Sequence, residues 1–459
     1  MRRIPRVIGC CSLALLLAGQ VAAEEVSSDE SNPSDLWTLY EQAQKQDPRI
    51  LSAQAAAKRA EYQEREALGR LLPQVSADSR LTRTNYVSGA YERYYNGERY
   101  SVSLSQVIYD SPTWQGYQRS RALSEQYAEQ GEHDIQGAVA DLIQRYFAVL
   151  GAQDNLELIQ AEKRSVERNL ERINSLYERQ LASITEKLEV EARLDRLRSD
   201  EIEAQNNIWV SREALAEVIG RPVYEKLERL VAQPKLKDTF DLKSYEYWRD
   251  LALEANPLIL SKQASVDAQR AARKEAFGGH MPSVNLQLSS QKTNIGSENA
   301  PSSPNESSVA ALNIRIPIYS GGSTSARSDA AYESMMMARH DLESARRQVF
   351  KEVRTAYMNA SSALAKVQAS QVALQSATKA REAAEKSFTY GINNAVDVLD
   401  RASEQYSAER DLLEAQYSFL LSYVVLKRWS GSLEDGDLQQ INTLLDNHTV
   451  KYAAVGTAG

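Results

Sequence analysis

The chain has 459 residues, of which 42% are hydrophobic and only 20 are glycine, so it is an ordered protein and neither collagen-like nor low-complexity. A net charge of −8 argues against nucleic acid as a partner. The length allows two or three ordinary domains or one elongated architecture with a modest core.

Residues 1–23, MRRIPRVIGCCSLALLLAGQVAA, read as a signal peptide. Arg2, Arg3 and Arg6 form its basic region, an apolar stretch runs to Ala18, and Val21-Ala22-Ala23 is a small-residue cleavage site. Cys10 follows Val7-Ile8-Gly9, but the apolar stretch lies after this cysteine where a lipoprotein box needs it before, so lipidation is not expected. Cleavage removes Cys10 and Cys11, leaving a chain held by packing without disulfides or thiolate metal sites. It also removes three arginines and no acid, which takes the charge from −8 to −8 − 3 = −11. No later segment offers the roughly 18 uninterrupted apolar residues of a membrane helix. A membrane crossing would have to use strands.

The chain repeats itself. AQKQDPRILSAQAA from Ala43 matches ALEANPLILSKQAS from Ala252, and the Pro48/Pro257 and Pro73/Pro282 pairs are both separated by 209 residues. TEKLEVEARL from Thr185 matches VDVLDRASEQ from Val396, and Gly220 matches Gly431, both at an offset of 211. Two similar halves are expected, 24–220 and 242–431, joined by an equatorial linker over 221–241 and followed by an equatorial segment and tail over 432–459.

Each half reads in one order. A helix of about 35 residues (Asp35 to Leu71; Leu242 to Phe277) stops at Leu72-Pro73 or Met281-Pro282, where proline ends the run. Two segments of period two follow, expected as strands at about 74–86 and 99–109, then about 283–293 and 309–319. Val284, Leu286 and Leu288 share one face, as do Leu312, Ile314, Ile316 and Ile318. The polar stretches between them, 86–99 and 293–308, are expected as outward-facing loops. Pro112, or Gly321-Gly322, then opens a very long helical run with heptad patterning. Ile159, Val166, Leu170, Ile173 and Tyr177 form one seam, and Leu399, Tyr406, Leu413, Tyr417, Leu420 and Val424 another.

Length decides how these parts combine. The run from Pro112 to Tyr177 would extend roughly 100 Å, whereas the helix before the strands and the one after a break at 178–186 give roughly 50 to 55 Å each. Two short helices end to end therefore match one long one. Strands of about ten residues can cross a bilayer when tilted, but four cannot close a barrel, so a barrel would be shared between chains. Composition alone permits a dimer with eight strands or a trimer with twelve. Tyr86, Tyr91, Tyr94, Tyr95 and Tyr100 crowd one hairpin and suit a membrane interface, although a tyrosine-rich surface loop would look similar.

Catalytic chemistry is missing from the sequence. His133, His280, His340 and His448 are scattered without ligand spacing, and Met335-Met336-Met337 lies in a helix where packing explains it. No phosphate loop, nucleophile elbow or metalloprotease motif occurs. The chain is expected to be no enzyme and to carry no cofactor or metal.

The helix breaks are more informative. Ser183-Ile184-Thr185-Glu186 forms a capping box, and Asn394 with Asp397 takes the same two positions in the second half. An acid there stabilises any helix start. Asp400 lies one turn further, beyond the strong part of the dipole, with Glu189 as its counterpart. A turn near Gly391 would point these acids one way, and in a symmetric oligomer that face would become a ring.

Together with the signal peptide and the repeat, LLPQ at 71–74, IPIYSGG at 316–322 and YGINNAVDVLD at 390–400 resemble the TolC family of outer-membrane exit ducts, over about 35–445. The resemblance implies an α+β membrane protein located in the cell outer membrane with a large periplasmic portion. Its homotrimer would form a 12-stranded β-barrel, four strands per chain, continuous with a long periplasmic α-helical coiled-coil barrel. Its partners would be outer-membrane lipid, a periplasmic adaptor (membrane fusion) protein and an inner-membrane ABC transporter or drug pump. Asp397 and Asp400 match two aspartates that ring the periplasmic entrance, and Glu186 matches an acidic partner on the neighbouring coil. Phe388 and Asn393 stand where the family often has a tyrosine and an arginine, so the resting lock is expected to be weaker or to use other residues. The missing lipid cysteine resembles the type I protein secretion branch more than the multidrug efflux ducts. A soluble periplasmic coiled-coil scaffold is the alternative of a different class, and it leaves the four strands idle.

Overall fold

The structure, a computed structural model, describes residues 34–231, 234–296, 301–390 and 392–446. The signal peptide and its cysteines, His448, the tail beyond Asp446 and Gly391 lie outside the described residues.

The first half runs α1 (Leu36–Gln46), α2 (Pro48–Gly69), β1 (Gln74–Ser88), β2 (Tyr91–Asp110), α3 (Ser111–Glu178) and α4 (Ile184–Ile219). After β3 (Arg229–Leu230) and α5 (Leu236–Thr239), the order recurs in α6 (Tyr245–Ala255), α7 (Pro257–Gly278), β4 (Ser283–Ile295), β5 (Pro301–Arg315), α8 (Ser323–Thr389) and α9 (Ala395–Trp429). The chain then forms α10 (Asp435–Asn442) and β6 (Leu445–Asp446), and β6 pairs with β3 at the equator.

The single helix expected before each pair of strands is two helices. Pro48 and Pro257 force the residue before them out of the helical region, and Asp47 (ψ 116°) and Asn256 (ψ 118°) are extended. Each side chain caps the helix that follows: Asp47 accepts from the Arg49 amide, and Asn256 from those of Leu258 and Ile259. Asn256 Nδ2 also donates to the Trp429 carbonyl at 2.8 Å, holding the end of α9 against the start of α7. Gly431 makes that contact possible. Its φ is +72°, and a Cβ there would lie 2.3 Å from the Ala255 carbonyl oxygen. Gly220, with φ +78°, faces Gln46 at the corresponding junction of α4 and α2. Stacked in this way, α2 and α4 both pack along α3, while α7 and α9 both pack along α8.

The strands also differ from expectation. β2 starts at Tyr91, so most of 86–99 is a paired ribbon turning at Gly89 (φ +63°), with Ser88 opposite Tyr91. Aromatic and β-branched residues carry the pairing past the level where charge suggests a loop. β5 likewise starts at Pro301 in the segment expected as a loop, and it ends at Arg315, because Pro317 cannot donate to a ladder.

The four long strands form one antiparallel sheet in the order β1-β2-β4-β5. Its registers sort the side chains cleanly. Val75, Val102, Leu104, Leu286, Leu288, Leu312 and Ile314 share one face, while the other holds Ser76, Ser103, Gln287, Ser289 and Asn313, with Ser76 and Ser103 hydrogen bonded at 2.8 Å. Among the described residues, the outer edges of β1 and β5 pair with nothing. No described helix is long and apolar enough to cross a membrane.

Two cores hold the helices. The larger lies at the equator, around Leu142, Tyr146, Phe147, Leu215, Phe240, Phe419 and Leu420. The smaller lies far along the coils, where Ile159, Val166 and Ile173 meet Val190, Leu194, Leu197, Ala395 and Leu399. Tyr177, expected on the first seam, is 39% exposed, because the helix ends one residue later and its ring stands beside the Lys187 ammonium. Asn256→Ala should lower the stability of the solubilised protein by about 1–3 kcal/mol, since it removes a helix cap and the bond to Trp429 together. Thermal melts followed by circular dichroism measure this, and an unchanged midpoint would refute the junction's role.

Candidate functional site

At about 100 Å from the sheet, both long helices turn back. The α3–α4 turn closes with the Leu181 amide bonded to the Leu176 carbonyl at 2.8 Å, and the α8–α9 turn with the Ile392 amide bonded to the Ser387 carbonyl at 2.9 Å. These six-to-one bonds satisfy carbonyls at a helix end. In the first turn, Gln180 takes the left-handed conformation at φ +59°.

Both capping boxes form. The Glu186 amide donates to Ser183 Oγ at 3.1 Å while Glu186 Oε2 accepts from the Ser183 amide at 3.2 Å. The Asp397 amide donates to Asn394 Oδ1 at 2.8 Å, and Asp397 Oδ2 accepts from the Asn394 amide at 3.4 Å. Asp397 and Glu186 therefore have local helix-start duties.

Asp400 has a different partner. Arg193 on α4 donates through Nη1 to Asp400 Oδ1 at 2.7 Å, and its Nη2 lies 3.6 Å from Glu162 Oε1 on α3. Arg193 is 24% exposed and Asp400 57%, so the pair ties the two hairpins together at a site reached by water. Nearer the turns, the Arg172 guanidinium sits 4.2 Å from the centre of the Phe388 ring, which also packs against the smaller core. Such a stack contributes roughly 0.5–1 kcal/mol at an exposed site. Asn393 is half-buried in the turn, and Glu189 is exposed without an ion pair among the described residues. The extreme tips present Leu181 (72% exposed), Tyr390 (81%) and Ile392 (77%).

The structure thus gathers Asp397, Asp400, Phe388, Asn393, Asn394, Ser183 and Glu186 at one end, with an exposed Glu189 one turn after Glu186 on α4. Sequence reasoning missed Arg193, Arg172 and Glu162. No local signal marked Arg193, since its partner Asp400 stands 207 positions away.

A second polar cluster lies at the equator. Tyr417 on α9 donates to Asp154 Oδ2 at 2.5 Å, and Arg229 on β3 lies 2.5 Å from Glu157 and 3.6 Å from Asp154. Burial pushes the Asp154 carboxyl up, while the Tyr417 hydroxyl and Arg229 pull it down less strongly.

The comparisons follow this two-part geometry. A family model described as outer membrane efflux protein matches residues 39–221 and 248–432, one stretch in each half. The chain belongs to that family. It is 30% identical over 413 residues to outer membrane protein TolC of Vibrio cholerae serotype O1, covering 89% of this chain and 93% of the relative. To alkaline protease secretion protein AprF of Pseudomonas aeruginosa it is 28% identical over 355 residues, 76% of this chain and 73% of that one. Among solved structures, the CmeC outer membrane channel of Campylobacter jejuni superposes with a TM-score of 0.75 at 17% identity, over 90% of each chain. The open-state MtrE channel of Neisseria gonorrhoeae gives 0.71 at 19% identity, over 87% of this chain and 90% of that one. As an outer membrane efflux protein of the TolC type, the chain is a passive outer-membrane channel with a large periplasmic portion, and not an enzyme.

The equatorial cluster makes stability depend on pH. A carboxyl whose folded value is raised contributes stability that is present below the unfolded value and lost as pH rises through the folded one. Asp154→Asn should therefore reduce the loss of melting midpoint that the parent protein shows as pH rises above the ordinary aspartate range. Identical pH profiles would show that Asp154 does not titrate there.

Proposed function

We propose that this channel is the exit duct of a tripartite export system, working as a homotrimer that receives protein cargo from an inner-membrane ABC transporter through a periplasmic adaptor. The observation that carries the trimer is the pair of unpaired strand edges, β1 and β5, on a sheet with one apolar face. In lipid every backbone group needs a partner, so β1 of one copy would pair with β5 of the next. Three copies make twelve strands, the number the TolC resemblance implies. The apolar face then meets lipid and the polar face lines the lumen.

Polypeptide cargo is supported by two relatives, AprF and the proteases secretion protein PrtF of Dickeya chrysanthemi, the latter 25% identical over 93% of this chain. The multidrug reading has thinner support: the outer membrane efflux protein BepC of Brucella suis biovar 1 is 23% identical over 40% of this chain. Deleting the gene and comparing secreted proteins with drug sensitivity discriminates between them. Loss of secreted protein with unchanged drug sensitivity is the expected result, and the reverse would reject the secretion reading.

At the entrance, three chains would bring six carboxylates from Asp397 and Asp400 to one axis, the three of Asp400 shared with Arg193 at rest, with Glu186 and Glu189 on the neighbouring coils. Closely spaced like charges recruit cations, so the entrance would be cation-selective and plugged by multivalent cations. The Arg193–Asp400 pair and the Arg172–Phe388 stack serve as the resting lock in place of the family's tyrosine and arginine. A water-exposed ion pair contributes up to about 1 kcal/mol, so three of them make a lock that a docking partner can break. In single-channel recordings, Asp397→Ala/Asp400→Ala should abolish multivalent-cation block, and unchanged block would sink the ring. Arg193→Ala should raise the conductance, and parental conductance would reject the lock.

A further inference from the structure

The polar face of the sheet carries a charge pattern that a passive duct does not require. Followed through the strand registers, that face holds Arg80, Arg93, Arg99 and Arg315 against two acids, Asp78 and, at the rim where it caps α3, Asp110. The other acids on these strands, Glu92, Glu98 and Glu306, fall on the opposite face, where Glu306 pairs with Lys292 at 2.6 Å. The lumenal arginines are left with almost no counter-charge in a protein that is acidic overall.

Arg80 and Arg99 are direct cross-strand partners. Side chains so placed have Cβ atoms about 4.5–5.5 Å apart, and like charges at that spacing repel. Arg99 Nε is buried without a hydrogen-bond partner, and Arg80, Arg93 and Arg99 take no ion pair among the described residues. Two facing guanidinia that take no ion pair form an arrangement that a carboxylate would complete, since the planar fork binds it through two parallel bonds.

We propose that Arg80 and Arg99, with Arg93 nearer the outer mouth, form an anion-binding collar inside the barrel that engages the carboxylates of acidic polypeptide cargo as it leaves. This rests on the reading of the polar face as the lumen of a closed trimer. Three copies bring six guanidinia to one level, opposite in sign to the acidic entrance at the far end. An acidic segment that has passed the entrance meets attraction at the exit, and screening by external salt keeps the hold reversible.

The test uses the full-length protein in planar bilayers, with a short oligoglutamate added on the barrel side at low salt. The parent channel should show current block that weakens as salt rises. Arg80→Gln/Arg99→Gln should weaken it by about tenfold or more, and Arg99→Gln alone by a smaller factor if the double variant fails to assemble. Arg83→Gln, on the opposite face, should keep parental block. Block by oligolysine from the periplasmic side, which depends on Asp397 and Asp400, should persist in the arginine variants and so report an intact channel. A conducting parent that oligoglutamate does not block, or block that survives removal of the arginines, overturns the collar and leaves the duct standing. A protein that forms no conducting trimer overturns the duct and the collar with it.

Discussion

In hydrocarbon, an edge strand has no water to satisfy its amides and carbonyls, and each orphaned group costs several kcal/mol. The sheet β1-β2-β4-β5 has two such edges, and it sorts its side chains into one apolar and one polar face. A single chain cannot answer that constraint, because four strands are too few to curl shut. The proposed trimer answers it, and the helices follow from it. Both β-hairpins hand the chain to a helix at the same end of the sheet, so four helical columns leave one rim and run in one direction.

Those columns keep equal length by a device at the equator. A proline at the start of α2 and of α7, a capping Asp47 or Asn256 before it, and a left-handed Gly220 or Gly431 opposite let two helices meet end to end without a side chain between them. The junction is where the fold is least tolerant, since the backbone of Ala255 and Asn256 stands where any Cβ on residue 431 would be. Around it, the larger core and the β3–β6 belt brace the columns, and Asp154 is buried there against Tyr417 and Arg229.

Toward the distal turns the packing thins to a small core, and polar pairs take over the connection between hairpins. This gradient suits the proposed entrance, whose lock a docking partner would break. Arg193 reaches across from α4 to α9, and Arg172 covers Phe388, so the links between hairpins are water-exposed and individually weak. The proposed charge logic changes sign along the axis, with carboxylates at the entrance and arginines inside the barrel.

Much of this architecture is legible in residues alone. The offsets of 209 and 211 reveal two halves, period-two alternation in SVNLQLS reveals a strand, and Ser183 with Glu186 announces a helix start, because each is a local pattern with a local cause. Where local chemistry and long-range pairing disagree, pairing prevails: YERYYNGER reads as a loop by charge yet lies in β2, because β1 offers it a ladder along its whole length and β4 joins at Arg99. The break at Asp47 is equally local, since the residue before Pro48 is pushed out of the helical region, so one helix of 35 residues through that proline runs against its own chemistry. The acids of the distal turns could be named from the sequence, since capping spacing is local. Which of them is tied, and to what, could not be read, because Asp400 meets Arg193 across 207 positions. Only the packing of one hairpin on the other brings those charges within hydrogen-bond reach.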